Sequence, residues 1–350
     1  MLWTLPWLAA FVVALVGGIY VLFGPGIDAH NPRASLPLRD VEKQFLQDHV
    51  AGGKEETGFL HRPRPANQIA RIFYRFWHPK YLGDDASASN AKGVVVVLHG
   101  LNSHSARNNT FMVELLQSRF VIAGVDHEGF GRSDGRHGYF ANVDHLLDDA
   151  IALVQLVRDK YKGRKVFLHG GSLGGLLVIL VLLKIDKGLV DGAVLLCPAV
   201  QIHARSRPSP TIEKIGKLLR ALGPKLPLAQ GNRGKNSSPE VAALVDEMKR
   251  ADPMFYNGRL RIGTGLAILD ALMSIQDQIH KIDTPYLLQH GEADFVCHIS
   301  GSEAFHAKTS SSDKTFKSYP GGAHDLSNEP PPIRNAVVQD FVEWLEERSN

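Results

Sequence analysis

Short apolar runs that end in glycine recur along most of the chain and constrain its fold more than any other feature. The clearest is GVVVVLHG at residues 93–100, an unbroken β-branched run. Strands without a polar face are expected where helices cover both sides of a parallel sheet. Similar runs lie at 120–126, 165–170, 192–197 and 286–291, and helix-like patterns separate them. This alternation predicts an α/β fold with a mostly parallel central sheet and right-handed crossovers.

The spacing of the runs is irregular at one place. About ninety residues separate Cys197 from the next strand near Pro285, more than a single crossover helix needs. We therefore expect an inserted helical cap at 202–282 that divides the core into residues 66–201 and 283–350.

The predicted cap is the basic part of the chain. Residues 201–250 contain ten Lys or Arg and four Asp or Glu, an excess of +6, whereas the whole chain carries +3. Its segment 211–223 places Ile212, Ile215 and Leu218 on one helical face. Two interpretations remain open: a helix packed on the domain by this apolar stripe, or a lid that touches an anionic lipid surface.

The N-terminal residues predict a membrane anchor. Leu2 to Phe23 carry no charge, and as a helix they would be about as long as the hydrocarbon core of a bilayer is thick. A cleaved signal peptide is the alternative, but the run is long for one and no Lys or Arg precedes it. We predict a retained single-pass transmembrane helix at 1–24 and a linker at 25–65.

Basic residues follow the apolar run and predict the orientation of the chain. Arg33, Arg39 and Lys43 lie behind it, so the positive-inside rule places the large domain on the cytosolic side. We expect the membrane to be that of the endoplasmic reticulum.

Composition excludes several function classes. The net charge is only +3 and no long basic tract occurs, so a nucleic-acid partner is not expected. Cys197 and Cys297 form neither a disulfide framework nor a zinc-binding spacing, and we interpret both as buried or incidental thiols. The chain contains no H-E-x-x-H motif, so neither a metal nor another cofactor is expected.

Two serines match the G-x-S-x-G pattern of a strained nucleophile turn. Ser172, in HGGSLGG, directly follows an apolar strand and precedes an apolar helix, which is the corner that the pattern requires. Ser133, in GRSDG, lies in a glycine-rich loop seven residues past the end of its strand. We therefore predict Ser172 as the nucleophile and interpret Ser133 as a coincidental match.

A serine nucleophile needs a base and a carboxylate that orients the base. In this fold the order along the chain is serine, acid, histidine. Asp294 follows the strand YLLQHG and is the predicted acid, with Glu292 as the alternative. His324 follows the last predicted strand, 315–320, and is the predicted base.

The developing oxyanion needs two backbone N–H donors. We predict that Leu173, the residue after the nucleophile, supplies one and Leu101, in the loop after the 93–100 strand, supplies the other. His99 is interpreted as structural.

Five motifs together resemble the monoacylglycerol lipase and lysophospholipase group of α/β-hydrolases, especially its plant-type members. They are HGLNSHS, DHEGFGRSDGRHGYF, HGGSLGG, HGEADFV and GGAHDL, and the resemblance extends over about 65–345. It implies an α/β-hydrolase fold with a cap, a triad of Ser172, Asp294 and His324, and oxyanion donors at Leu101 and Leu173. Gly171 stands where that group has a large residue, and Leu173 stands where it has a methionine. Both replacements alter the wall of the pocket and therefore bear on the acyl chain length that it prefers.

The resemblance and the triad together predict a serine ester hydrolase. It would cleave the acyl ester of a monoacylglycerol or a lysophospholipid through an acyl-enzyme at Ser172. An acyltransferase using the same intermediate is the alternative, although no His-x4-Asp motif is present. A membrane-tethered scaffold without chemistry is a third possibility, which the complete set of triad candidates disfavours. The expected partners are a lipid ester and a membrane, reached through the N-terminal helix and the basic cap.

Overall fold

The computed structural model describes residues 4–25, 31–80, 91–107, 110–228 and 238–349. Its strands are β1 Glu56–Arg64, β2 Gln68–Trp77, β3 Gly93–Leu98, β4 Phe120–Val125, β5 Lys165–Gly171, β6 Gly192–Leu196, β7 Tyr286–Gly291 and β8 Lys314–Tyr319. Its helices are α1 Thr4–Phe23, α2 Asp40–His49, α3 Thr110–Gln117, α4 Val143–Lys160, α5 Leu173–Lys184, α6 Pro210–Leu222, α7 Pro239–Arg250, α8 Ile262–Ile275, α9 Ile299–Lys308 and α10 Pro331–Glu347.

All eight of these strands form one sheet in the order β1-β2-β4-β3-β5-β6-β7-β8. Strands β3 to β8 are parallel, and β1 and β2 complete one edge in antiparallel pairing. Val94 and Val96 of β3 point into a core with α4, α5 and α8, whereas Val95 and Val97 point into a second core with α2, α3 and α10. Because helices bury both faces, the strands need no polar side, and the predicted α/β-hydrolase fold is confirmed.

The predicted linker at 25–65 is wrong for residues 31–64. This stretch contains α2 and β1, and β1 pairs with β2 from Glu56 opposite Phe76 to Arg64 opposite Gln68. The strand is hard to recognise because it lies at the sheet edge, where polar residues and a proline such as Pro63 are tolerated. Residues 26–30 of the predicted linker lie outside the described residues.

The segment that follows α1 is fastened to the glycine-rich loop after β4. The guanidinium of Arg33 donates to the carbonyl oxygens of Gly131 at 2.9 Å and Gly135 at 3.3 Å. Burial lowers the pKa of Arg33 to about 10, although Asp126 and Asp134 partly counteract this. The chain around Arg33 is therefore part of the main domain.

Helices α6, α7 and α8 lie between β6 and β7, in the region predicted to form a cap. The apolar stripe of α6 faces outward, since Ile212, Ile215 and Leu218 are 61%, 53% and 72% exposed. The interpretation in which this stripe packs on the domain is therefore wrong.

No helix among the described residues combines the length and apolar character needed to cross a bilayer. The predicted transmembrane anchor at 1–24 consequently has no support from the described part of the chain, and its orientation and organelle stay predictions.

A buried cluster of charges joins β1, the loop after β4 and α4. Arg64 donates from Nε to Glu128 and from Nη2 to Asp149, each at 2.6 Å, and all three side chains are nearly inaccessible to solvent. Burial raises the pKa of Asp149 to about 6, despite the opposing effect of Arg64. Arg64 is thus the one residue that pairs with both carboxylates, while Arg62 lies 3.3 Å from Asp149 and His145 lies 3.5 Å from Glu128.

We expect Arg64→Ala to lower the free energy of unfolding by about 3–5 kcal/mol, because it removes the buried guanidinium that lies 2.6 Å from each of the two buried carboxylates. Lys184→Ala is the matched control: it breaks the solvent-exposed pair with Asp148 and should cost about 0–1 kcal/mol. Urea unfolding of both variants measures the difference. Equal losses would show that the buried cluster contributes no more than an exposed pair.

Candidate active site

Ser172 lies at the corner between β5 and α5 in a strained backbone conformation. Its φ of 55° and ψ of −119° are rarely adopted by residues other than glycine. The Ser172 N–H donates to the Leu196 carbonyl oxygen, and the Ser172 carbonyl accepts from the Ala199 N–H, both at 3.0 Å. These two bonds to the segment around the end of β6 hold the serine in this conformation.

Two glycines of the corner are required by close backbone contacts. A Cβ at Gly170 would lie 2.3 Å from the Gly174 oxygen, and one at Gly174 would lie 2.0 Å from the Leu98 oxygen. Gly171 is different, because its Cβ would lie 3.5 Å from the Leu196 oxygen, an ordinary contact distance. The missing side chain at 171 is therefore not imposed by backbone crowding.

Asp294 and His324 come together at the carboxyl ends of β7 and β8. His324 Nδ1 and Asp294 Oδ2 are 2.7 Å apart, and Asp294 is 4% exposed. The other carboxylate oxygen accepts from the N–H groups of Val296 at 2.7 Å and Cys297 at 3.0 Å. The carboxylate is thus fixed by backbone donors on one side and faces the imidazole with the other.

The charge of Asp294 sets the tautomer of His324. Burial alone would raise the pKa of the Asp294 carboxyl, but hydrogen bonds from His290 and His324 outweigh it and hold that pKa well below its usual range. An ionised carboxylate only accepts hydrogen bonds, so Nδ1 of His324 carries a proton. Nε2 of the neutral ring is left to accept a proton from a nucleophile.

The structure does not bring the two alternative residues into this arrangement. Glu292 instead accepts a hydrogen bond from the Ser318 hydroxyl at 2.8 Å. Ser133 is fully buried, where its Oγ accepts from the Phe73 N–H at 2.8 Å and donates to the Asp126 carbonyl oxygen. Both hydrogen-bonding roles of the Ser133 hydroxyl serve the loop.

The loop after β3 passes directly beside the serine. A Cβ at Gly100 would lie 3.3 Å from the Gly171 oxygen and 3.7 Å from Cβ of Ser172. Within the described residues, the N–H groups of Leu101 and Leu173 donate to no other oxygen. These two N–H groups therefore have no acceptor among the described residues, and their role as oxyanion donors stays a prediction.

His99 holds this loop in place through two hydrogen-bond contacts. Its Nδ1 is 2.8 Å from the Gly100 oxygen, and its Nε2 accepts from the His127 N–H at 3.0 Å. Burial lowers the pKa of His99 to about 4, so the ring is neutral at physiological pH.

The positions of both cysteines beside the candidate triad were not predicted from the sequence. The Cys197 sulfur lies within 4.8 Å of an Asp294 carboxylate oxygen. The nearby Ser172 side chain acts to lower the pKa of the Cys297 thiol, but burial outweighs it. Burial raises the pKa of each thiol well above its usual value, so both are protonated at neutral pH. The available signal was position: Cys197 directly follows β6, and Cys297 lies three residues after Asp294.

Charged contacts fasten the cap to the loops of this site. Asp325, next to His324, lies 3.3 Å from Arg107 in the loop after β3 and 3.9 Å from Lys249 of α7. Burial would raise the pKa of Asp325, but these two cations lower it to about 2. The ionised Asp325 carboxylate therefore connects the loop that carries His324 to helix α7 of the cap.

The chain is similar to known hydrolases. Residues 89–331 match the family described as serine aminopeptidase, S33. The human monoglyceride lipase is 27% identical over 79% of this chain and 88% of its own length. The monoacylglycerol lipase of Mycolicibacterium smegmatis is 28% identical over 79% of this chain and 92% of its own. The fold is shared with the solved structure of a soluble variant of the Saccharomyces cerevisiae monoglyceride lipase in complex with a substrate analogue. The TM-score is 0.68 and the identity 23%, over 84% of this chain and 96% of that one.

Replacement of each G-x-S-x-G serine distinguishes the two candidates. We expect Ser172→Ala to abolish labelling by a fluorophosphonate and to lower turnover about 10⁴- to 10⁶-fold, because it removes the predicted nucleophile. Ser133→Ala should keep the labelling and stay within about tenfold of the original turnover. Its cost should instead appear in stability, about 1–3 kcal/mol, because the Phe73 N–H loses its acceptor. Labelling that survives only in Ser172→Ala would contradict the assignment.

Proposed function

Because this chain belongs to the family described as serine aminopeptidase, S33, we propose that it is a serine ester hydrolase with Ser172, His324 and Asp294 as its triad. The observation that carries the proposal is the 2.7 Å contact between His324 Nδ1 and the buried Asp294 carboxylate, at the sheet edge that also carries the strained Ser172. The complete set of side chains argues against an inactive scaffold.

The proposed mechanism uses two proton transfers through one ring nitrogen. Ser172 Oγ attacks the acyl carbonyl carbon while Nε2 of His324 takes its proton, and Asp294 stabilises the imidazolium that forms. The negative charge that develops on the carbonyl oxygen is bound by the N–H groups of Leu101 and Leu173. His324 then protonates the leaving alcohol. Water repeats the sequence on the acyl-enzyme and releases the fatty acid.

The proposed substrate is a monoacylglycerol. Support comes from the relatives named monoglyceride lipase and monoacylglycerol lipase, which align along most of this chain. A lysophospholipid shares the acyl ester but carries a charged head group and remains the alternative. Transfer of the acyl group to an alcohol would use the same acyl-serine intermediate, with an acceptor in place of water.

A substrate panel on the purified protein tests this proposal. We expect release of fatty acid from a monoacylglycerol to exceed release from a lysophospholipid of the same acyl chain, and Ser172→Ala to remove both. Added glycerol should not divert the acyl group into new ester, since water is the proposed acceptor. Ester product in place of fatty acid would favour the transferase, and absence of both products would reject the assignment.

We also propose that α1 and α6 associate with a lipid surface. Trp7 and Val21 of α1 are 78% and 82% exposed. Most of the apolar stripe of α6 is exposed as well. The two helices are joined, because the Lys225 N–H just beyond α6 donates to the Phe23 oxygen at 3.1 Å and a Cβ at Gly223 would lie 3.1 Å from Ile19. Exposed apolar residues on adjoining helices are typical of an interaction surface.

The chemistry of the proposed substrate and the charge of the cap favour lipid as the partner. Residues 201–250 carry the basic excess of +6, which an anionic bilayer would attract. Lys217 and Arg220 lie beside acidic groups, Glu213 at 2.9 Å and Asp270 at 2.8 Å. Apolar insertion of α6 therefore contributes more to the proposed binding than these two cations.

Removal of the apolar stripe tests the lipid surface. The triple change Ile212→Ser, Ile215→Ser and Leu218→Ser should weaken binding to anionic vesicles at least about tenfold, because apolar side chains no longer enter the bilayer. Hydrolysis of a short soluble ester should be unchanged. Ile69→Ser is the matched control, since Ile69 is 58% exposed on β2, outside the cap. Equal vesicle binding by the triple variant and the control would contradict the proposal.

A further inference from the structure

Three side chains with metal-binding atoms converge behind the proposed nucleophile. The Cys197 sulfur, a carboxylate oxygen of Asp294 and a ring nitrogen of His324 all lie within 4.8 Å of one another. These residues follow β6, β7 and β8, so the order of strands in the sheet brings them together. Thiolate, carboxylate and imidazole are the ligand types that Zn²⁺ takes from proteins.

We propose that Cys197, Asp294 and His324 form a site for a thiophilic divalent cation, represented by Zn²⁺, whose occupation inhibits the enzyme. Zinc bonds of about 2.0–2.3 Å place tetrahedral ligand atoms about 3.3–3.8 Å apart. The observed separations of up to 4.8 Å need shifts of about 1 Å or less to reach this geometry. The ion would be an inhibitor and not a cofactor.

The charges of the site balance when the ion binds. The thiol of Cys197 loses its proton to solvent and binds as thiolate, and Asp294 binds as carboxylate. Nδ1 is the ring nitrogen 2.7 Å from Asp294, so it is the one that joins the site, and its proton moves to Nε2. Two anionic ligands and one neutral ring neutralise the 2+ charge, which suits a site where Cys197 is 1% and Asp294 4% exposed. One proton is released when the ion binds.

Occupation would stop catalysis without contact with Ser172. A metal on Nδ1 leaves the only ring proton on Nε2, the nitrogen that has to accept the serine proton. It also withdraws the Asp294 carboxylate from its hydrogen bond with the ring. The enzyme thereby loses its base and the group that orients the base in one step.

The second buried thiol provides the matched control. Cys297 is as buried as Cys197 and lies near Ser172, but it does not belong to the three-residue group. A general sensitivity of buried thiols would involve both cysteines. The proposed site involves Cys197 alone.

Zinc titrations of three proteins test the site. Hydrolysis of a short soluble ester is measured for the unchanged enzyme, Cys197→Ala and Cys297→Ala, each relative to its own metal-free rate. We expect the unchanged enzyme and Cys297→Ala to lose activity over the same range of Zn²⁺, with recovery on addition of a chelator. Cys197→Ala should need at least about tenfold more Zn²⁺, because one of three ligands is missing. Equal sensitivity of the two variants, or an unchanged enzyme that resists millimolar Zn²⁺, would overturn the proposal.

Cadmium binding provides a second measurement that needs no turnover. Cd²⁺ added to the Ser172→Ala protein should produce cadmium–thiolate absorption in the ultraviolet, equivalent to one thiolate per chain. The absorption should persist when Cys297→Ala is added to that protein and vanish when Cys197→Ala is added. Loss with Cys297→Ala instead would reject the site. Because this measurement is independent of the substrate, failure of the proposed lipase activity and failure of the metal site remain distinguishable.

Discussion

The structure depends on the near-contact between β3, β5 and the first turn of α5. Only glycine fits at 170 and 174, because any Cβ there would overlap a backbone oxygen of a neighbouring element. That closeness forces the chain to reverse within one residue, and Ser172 adopts the strained conformation as a result. The same closeness brings the loop after β3 alongside, so the backbone N–H of Leu101 and the hydroxyl of Ser172 belong to one compact corner.

Charged side chains connect the loops around this corner with the cap and with the N-terminal segment. Asp325 joins the histidine loop to the cap through Lys249, and Asp252 at the end of α7 lies 2.8 Å from His104 in the loop after β3. Arg33 holds the segment behind α1 on the glycine-rich loop. The cap thus contacts both the histidine loop and the loop after β3, whereas the N-terminal segment contacts the glycine-rich loop.

The sequence predicted the parts of the molecule whose patterns are local. Buried parallel strands such as 93–98 are uniformly apolar, and Asp294 follows another of them, so the fold and the predicted acid could be inferred from order and spacing. His324 follows the last strand, which is largely polar, so its prediction depended on its place in the chain order. Strand β1 was missed because an edge strand carries no such pattern. The sequence could not show whether the apolar stripe of α6 packs on the domain or faces outward. Amphipathic spacing identifies an apolar helix face but not what that face contacts. The thiol contacts depend on strands far apart in sequence, and only the sheet order reveals them.

Asp294 connects the proposed catalysis with the proposed inhibition. Its carboxylate is buried yet ionised, because backbone N–H groups and two histidines surround it with donors. A carboxylate with this environment orients an imidazole well, since no water competes for it. The same environment makes it a good ligand for a cation, because a buried anion gains more from a full positive charge than from a hydrogen bond. The residue at position 197 decides whether the proposed inhibition can occur in addition to the proposed catalysis. With an unreactive side chain there, Asp294 and His324 would offer a metal only two ligands, and the thiol of Cys197 supplies the third.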